Sequence, residues 1–174
     1  MTAYVALLRA VNLMSANRLP MAELRRVCEE AGFEQVRTFI ASGNVVFRSA
    51  KKEAAVKAEL EKRLQAHTGK PVGVIVRTAK EMAAILEDFP FKSAPRNRAV
   101  VIFLDGKPPS DTLEHVSGQA DERVALGRRE IHVAYGENGI GRSKLKIPAA
   151  KAGTARNINT IARLAEMAGE ASAA

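Results

Sequence analysis

Cysteine occurs once in the 174-residue sequence, so Cys28 has no partner for an internal disulfide, and the usage fits a reducing cytoplasm. The thiol falls on an apolar stripe with Met21, Leu24, Val27 and Ala31, which predicts a buried small hydrophobe rather than a reactive nucleophile. Aromatic residues are scarce at 5%, which leaves little for stacking unpaired bases. No apolar run approaches the ~18 residues of a membrane-spanning helix. The opening MTAYVALLRAVNLM lacks the basic lead and small-residue cleavage site of a signal peptide and reads as a first strand. His67, His115 and His132 lie far apart without metal-ligand spacing, and no nucleophile elbow or isolated carboxylate pair suggests hydrolysis.

What is present is apolar mass and positive charge. A hydrophobic content of 47% supports one large domain or two small packed halves. The formal charge is +8 and unevenly spread: from Arg128 to Arg156, seven Lys or Arg face two Glu, a net of +5 in 29 residues. A local field of that sign favours anionic partners.

The first half parses as βαββαβ, the ferredoxin-like unit. YVALLRAV is a strand. Pro20 opens a helix over MAELRRVCEEAG, and Gly32 stops it. QVRTFIAS and NVVFRS form a hairpin about SGN. KKEAAVKAELEKRLQAHTG is a second helix, with Val56, Leu60 and Leu64 on one face, and PVGVIVR closes the unit.

From residue 79 the order nearly repeats: a short helix in KEMAAILEDFPF, a linker KSAPRNR, the strand AVVIFLD, a helix near 110–118, and the hairpin ERVALGR/REIHVAYG. A closing helix is expected over 155–168, with the last strand missing or irregular and the tail GEASAA frayed. The expected fold is therefore α+β: two tandem ferredoxin-like halves, 1–78 and 79–174, each an antiparallel sheet with helices packed on one face.

Two loops bear on chemistry. GENGIGRS matches a phosphate-cradling loop with Arg142 in place of lysine, but Pro148 interrupts the helix such a loop requires. Glycines beside Arg142, Ser143 and Lys144 still bring backbone amides and cations together. The Ser-x-x-Lys match in SKLK is accidental, because an extended segment points Ser143 and Lys146 to opposite faces. At 100° per residue, Asn159, Thr160 and Arg163 fall within about 60° of Arg156 on the expected closing helix. Thr154 caps that helix, and Arg156 and Asn157 stand in its first turn, where free amides attract anions. Arg9, Asn12, Ser42 and Asn44 form a second concentration at the end of the first strand and in the hairpin; a turn conformation alone accounts for Asn44.

YVALLRAVN, MAELRRVCEEAGFEQVRTFIASGNVVF, GIGRSKL and TARNINTIARLAEMA resemble, in order and spacing, the bacterial family known as domain of unknown function 1697, from about residue 3 to 168. The resemblance implies two tandem ferredoxin-like halves and no established activity. The chain departs from the family pattern at LMSANR, where a glycine pair is usual, and at Ile158, where tryptophan is usual.

Three functional readings follow. In the first, the protein binds a small anionic or phosphorylated ligand in a basic cleft between the halves, using Arg9, Asn12, Ser42, Asn44, Arg142, Ser143, Lys144, Arg156, Asn157, Asn159 and Thr160. In the second, it binds RNA or single-stranded DNA without sequence preference. In the third, it is an enzyme acting on a phosphorylated or acyl substrate through Ser143 or Lys144. No metal or membrane partner is indicated, and neither a cofactor nor the oligomeric state is legible.

Overall fold

The structure, a computed structural model, describes residues 1–9, 19–39 and 43–173. Among these residues the fold is α+β, with two four-stranded antiparallel sheets and four α-helices. The chain forms two compact units, one of residues 1–84 with 163–174 and the other of residues 85–162.

In the first unit, strand β1 (Thr2–Leu8) is followed by helix α1 (Met21–Glu30), strands β2 (Glu34–Thr38) and β3 (Asn44–Ser49), helix α2 (Glu53–Thr68) and strand β4 (Val74–Thr78). The sheet order is β2-β3-β1-β4. Strand alternation puts Tyr4, Ala6, Leu8, Val45, Phe47, Val74 and Val76 in one core with Leu24, Val27 and Cys28 of α1 and Val56, Leu60 and Leu64 of α2. Phe33 stacks on Phe47 at 4.3 Å between ring centres. Val5, Leu7, Val46 and Ile75, on the opposite sheet face, are buried as well. Burial on both faces explains why the first strand reads as an unbroken apolar run instead of an alternating one.

Gly69 ends α2 in the left-handed region (φ 77°), and its amide donates to the Gln65 carbonyl. Burial, and then the charge of Glu29, push the Cys28 thiol up to about 12, so it stays protonated and inert. Arg77 on β4 is fully buried, with Nη1 donating to the Val76 carbonyl at 3.0 Å.

Helix α3 (Ala79–Asp88) leads into the second unit; helix α4 (Ile158–Ala173), which belongs to the first unit from residue 163 on, follows strands β5 (Ala99–Phe103), β6 (Arg123–Leu126), β7 (Glu130–Ala134) and β8 (Thr154–Asn157) of the second. Its sheet order, β6-β7-β5-β8, repeats the first sheet's pattern. The connections do not. A short 3-10 turn at 112–115 stands where a helix was expected near 110–118, and a second 3-10 turn lies at 148–152. One face of this sheet carries Val100, Ile102, Leu104, Ile131 and Val133, with Ile147, Val116, Leu145 and Ala149 over it. Loops and 3-10 turns, not α-helices, thus cover that face.

The closing element also differs from expectation. Residues 154–157 are strand β8, paired antiparallel to β5 with Phe103 opposite Thr154 and Val101 opposite Arg156. An edge strand leaves a row of backbone donors and acceptors unmet, and this nonlocal pairing overrides the local helical periodicity. The helix therefore starts at Ile158, and its cap is Asn157, whose Oδ1 accepts the Thr160 amide at 2.9 Å, instead of Thr154. Arg156 consequently does not share a helix face with Asn159 and Thr160. The alanine-rich tail is helical to Ala173, with Ala171 buried.

Gly118 sits at φ 68°, and a Cβ there would lie 1.9 Å from the Lys144 carbonyl oxygen. The approach belongs to a two-bond bridge, in which the Ser117 amide donates to the Lys146 carbonyl at 3.0 Å and the Lys146 amide donates back at 2.8 Å. Gly118→Ala is expected to destabilise by more than about 3 kcal/mol. Gly141→Ala, with nothing within 4 Å of the added carbon, is expected to stay within about 0.5 kcal/mol of the parent. Urea titrations of both variants check the pair.

Candidate functional site

Within the second unit, α3 stops at Asp88 because Pro90 lacks an amide hydrogen and constrains the residue before it. The chain then turns twice. The Ala94 amide donates to the Phe91 carbonyl at 3.0 Å, and the Arg98 amide donates to the Pro95 carbonyl at 2.9 Å in a 3-10 turn over Arg96–Arg98. These turns form the rim of a cavity of about 320 Å³ lined by Leu86, Phe89, Phe91, Ile158, Lys92 and Arg96 together with two alanines.

Phe89 and Phe91 meet edge to face at 5.8 Å, and Phe91 carries the Arg123 guanidinium 5.0 Å from its ring centre. Ile158, the first residue of α4, is buried against the cavity at the position where the family resemblance expects tryptophan. Lys92 and Arg96 are exposed, and neither has an ion-pair partner among the described residues. No carboxylate lines this cavity.

The residues singled out from sequence are distributed over both units. In the first unit, Arg9 lines a separate pocket of about 520 Å³ with Glu61, Gln65 and Gly73. Its own amide donates to the Gly73 carbonyl at 2.8 Å. Asn44 is buried at the start of β3, with Nδ2 donating to the Phe39 carbonyl at 3.1 Å, so it braces the hairpin. Asn12 and Ser42 lie outside the described residues.

In the second unit, Arg142 and Lys144 are exposed on the loop after β7. The Ser143 hydroxyl donates to the buried Glu122 carboxylate and accepts the Leu145 amide at 3.1 Å, so it holds this loop in place. Arg156 is half-buried on β8, and Nη1 donates to Thr154 Oγ1 at 2.6 Å and to the Ala155 carbonyl at 2.9 Å. Burial brings its pKa down to about 10, which leaves it charged at neutral pH. Asn157 is taken up by the helix cap, Asn159 is exposed, and Thr160 is partly buried. Arg163, which belongs to the first unit, pairs with Glu166 at 2.8 Å. Beside the glycine turn, an open pocket of about 650 Å³ is lined by Asn97, Arg98, Glu137, Gly139 and Ile140; its charge is mixed.

Sequence reasoning missed the cavity and Glu122, and it singled out His132 only for its lack of metal-ligand spacing. The FPFK stretch followed by Arg96 held the signal for the cavity: two aromatics around a proline, then two cations at the end of a helix. Glu122 is held below the usual carboxylate range by the Ser143 hydroxyl and the Ala120 amide. His132 is buried on β7 and meets Phe89 edge to face at 5.4 Å, with Nδ1 lacking a hydrogen-bond partner. Among the described residues no three His, Cys, Asp or Glu side chains gather as a metal site, and no helix is long and apolar enough to cross a membrane.

The two antiparallel four-stranded sheets define a mixed α+β protein. Its family is the one described as Protein of unknown function (DUF1697), which matches residues 1–132, and the chain belongs to it. Among solved structures it is similar to the conserved bacterial protein SP0830 from Streptococcus pneumoniae, at 26% identity and a TM-score of 0.81, over 96% of this chain and 98% of that one. No curated protein matches the chain. The family match stops at residue 132, short of the glycine turn, β8 and α4.

Burial lowers the pKa of His132 from its ordinary value, against smaller opposing effects of Glu130 and Asp88. A depressed folded-state pKa makes stability complete above the unfolded value of about 6.5 and lost as pH falls toward the folded one. His132→Phe, which removes both the titration and the unpartnered Nδ1, is expected to flatten the fall in stability between about pH 7 and pH 5.5. Thermal melts of parent and variant across that range measure the difference.

Proposed function

We propose that the protein is a binding module for a small anionic ligand, held at the cavity rim of the second unit by Lys92 and Arg96. The observation that carries this reading is the pairing of two exposed cations, neither engaged by a carboxylate, with a concave wall free of acidic groups. Two like charges on one rim repel each other, and an anion between them relieves that repulsion while adding charge-assisted hydrogen bonds.

The positive stretch from Arg128 to Arg156 extends the same field; in this reading Arg142 and Lys144 attract the ligand and Arg156 adds to the local potential. The shared strand order supports a tandem ferredoxin-like origin for the two sheets, with the second unit's α-helical crossovers reduced to 3-10 turns. Base stacking on the first sheet finds no support, because Phe47 is buried and stacked on Phe33.

Titration with inorganic phosphate and with acetate, followed by amide chemical shifts, tests this reading. Saturable shifts confined to residues around 89–98 are expected, weakened about three- to tenfold in a Lys92→Ala/Arg96→Ala variant. Shifts unchanged by that double substitution would assign the anion elsewhere.

A further inference from the structure

Building on that reading, we infer that the ligand is a carboxylic acid with a planar apolar body, its ring inserted between Phe89, Phe91, Leu86 and Ile158 and its carboxylate at Lys92 and Arg96. The cavity is two-faced. Its inner wall is aromatic and aliphatic, with Phe89 and Ile158 nearly inaccessible to solvent, while both cations stand at the exposed rim.

A site built for phosphate or another fully hydrated anion has no use for such a wall, because the apolar surface contributes nothing to holding it. A neutral apolar molecule would leave Lys92 and Arg96 unmatched. Only a molecule with both parts uses both halves of the site. The volume, about 320 Å³, lies at the small end of the ~300–1,000 Å³ range for ligand pockets, which suits a body of one or two fused rings.

The wall also has the rigidity that planar recognition requires. Phe91 is held by Arg123 at 5.0 Å and by the edge-to-face contact with Phe89, and Phe89 in turn leans on buried His132 at 5.4 Å. Aromatic walls fixed in this way favour offset or edge-on contact with a flat ring over contact with a flexible chain. Ile158 is held by its place in sequence, directly after the strand that pairs with β5 and at the first turn of α4.

The test compares four probes on the full chain by calorimetry and amide shifts: 2-naphthoate, 2-naphthamide, acetate and inorganic phosphate. The inference expects 2-naphthoate to bind roughly a hundredfold more tightly than acetate, from the burial of its rings. It expects the uncharged amide to bind about three- to tenfold more weakly than the acid. Ile158→Trp, which puts an indole into the cavity, should reduce naphthoate binding by at least about tenfold and leave acetate binding unchanged. Ala94→Phe, which narrows the cavity from the turn at its mouth, provides a second block if the first variant melts early.

Equal affinity for naphthoate and acetate, at residues around 89–98, would overturn the apolar-bodied ligand and leave the anion site standing. Equal affinity for acid and amide would overturn the carboxylate contact. Absence of saturable binding by all four probes would remove the inference and the anion site together. Naphthoate binding that survives both cavity-filling variants would also overturn it.

Discussion

The outer edge of β5 must find backbone partners, and residues 154–157 provide them. Everything distinctive about the second unit follows from that pairing. It turns a segment with helical periodicity into a strand, moves the helix cap to Asn157, and begins α4 at Ile158. Because β8 and α4 join without a loop, the position of Ile158 is fixed by the register of Thr154 on Phe103. The cavity wall is thus set by backbone hydrogen bonds as much as by side-chain packing. Gly153 reinforces this register, since its α-carbon passes so near the Phe103 carbonyl that a Cβ would stand 2.4 Å from the oxygen.

The two sheets share a strand order yet are stabilised differently. The first has one face covered by two long helices, each contributing three fully aligned apolar side chains to a single core. The second is covered on the equivalent face by short 3-10 turns and by loops pinned through polar contacts. Among these are the Ser117–Lys146 bridge and the Ser143 hydroxyl on Glu122. Helices bring regularity, whereas pinned loops leave more freedom for shaping a pocket.

The sequence made local chemistry legible and nonlocal pairing illegible. Pro20, Gly32 and Gly69 delimit helices by their own backbone preferences, and each element lies where those residues predict. Cys28 is buried as its stripe predicts. β8 escaped because its conformation is imposed by an edge 50 residues away, which no window of periodicity can sense. Asn44 and Ser143 looked like ligand contacts because short polar side chains near glycines serve either role; here Asn44 braces a hairpin and Ser143 a loop. The cavity was hidden in a stretch that reads as a linker, since Pro90 and Pro95 mark irregular backbone without saying what the aromatics between them enclose.

The solitary thiol has a practical consequence. With no exposed surface and with its proton held up to about 12, Cys28 cannot meet a soluble alkylating reagent while α1 stays seated on its sheet. Its rate of capture is therefore a clock for the opening of the first unit alone, since the second contains no sulfhydryl to confuse the signal. One chain thus carries its own probe for asking whether its two parts unfold together or in turn.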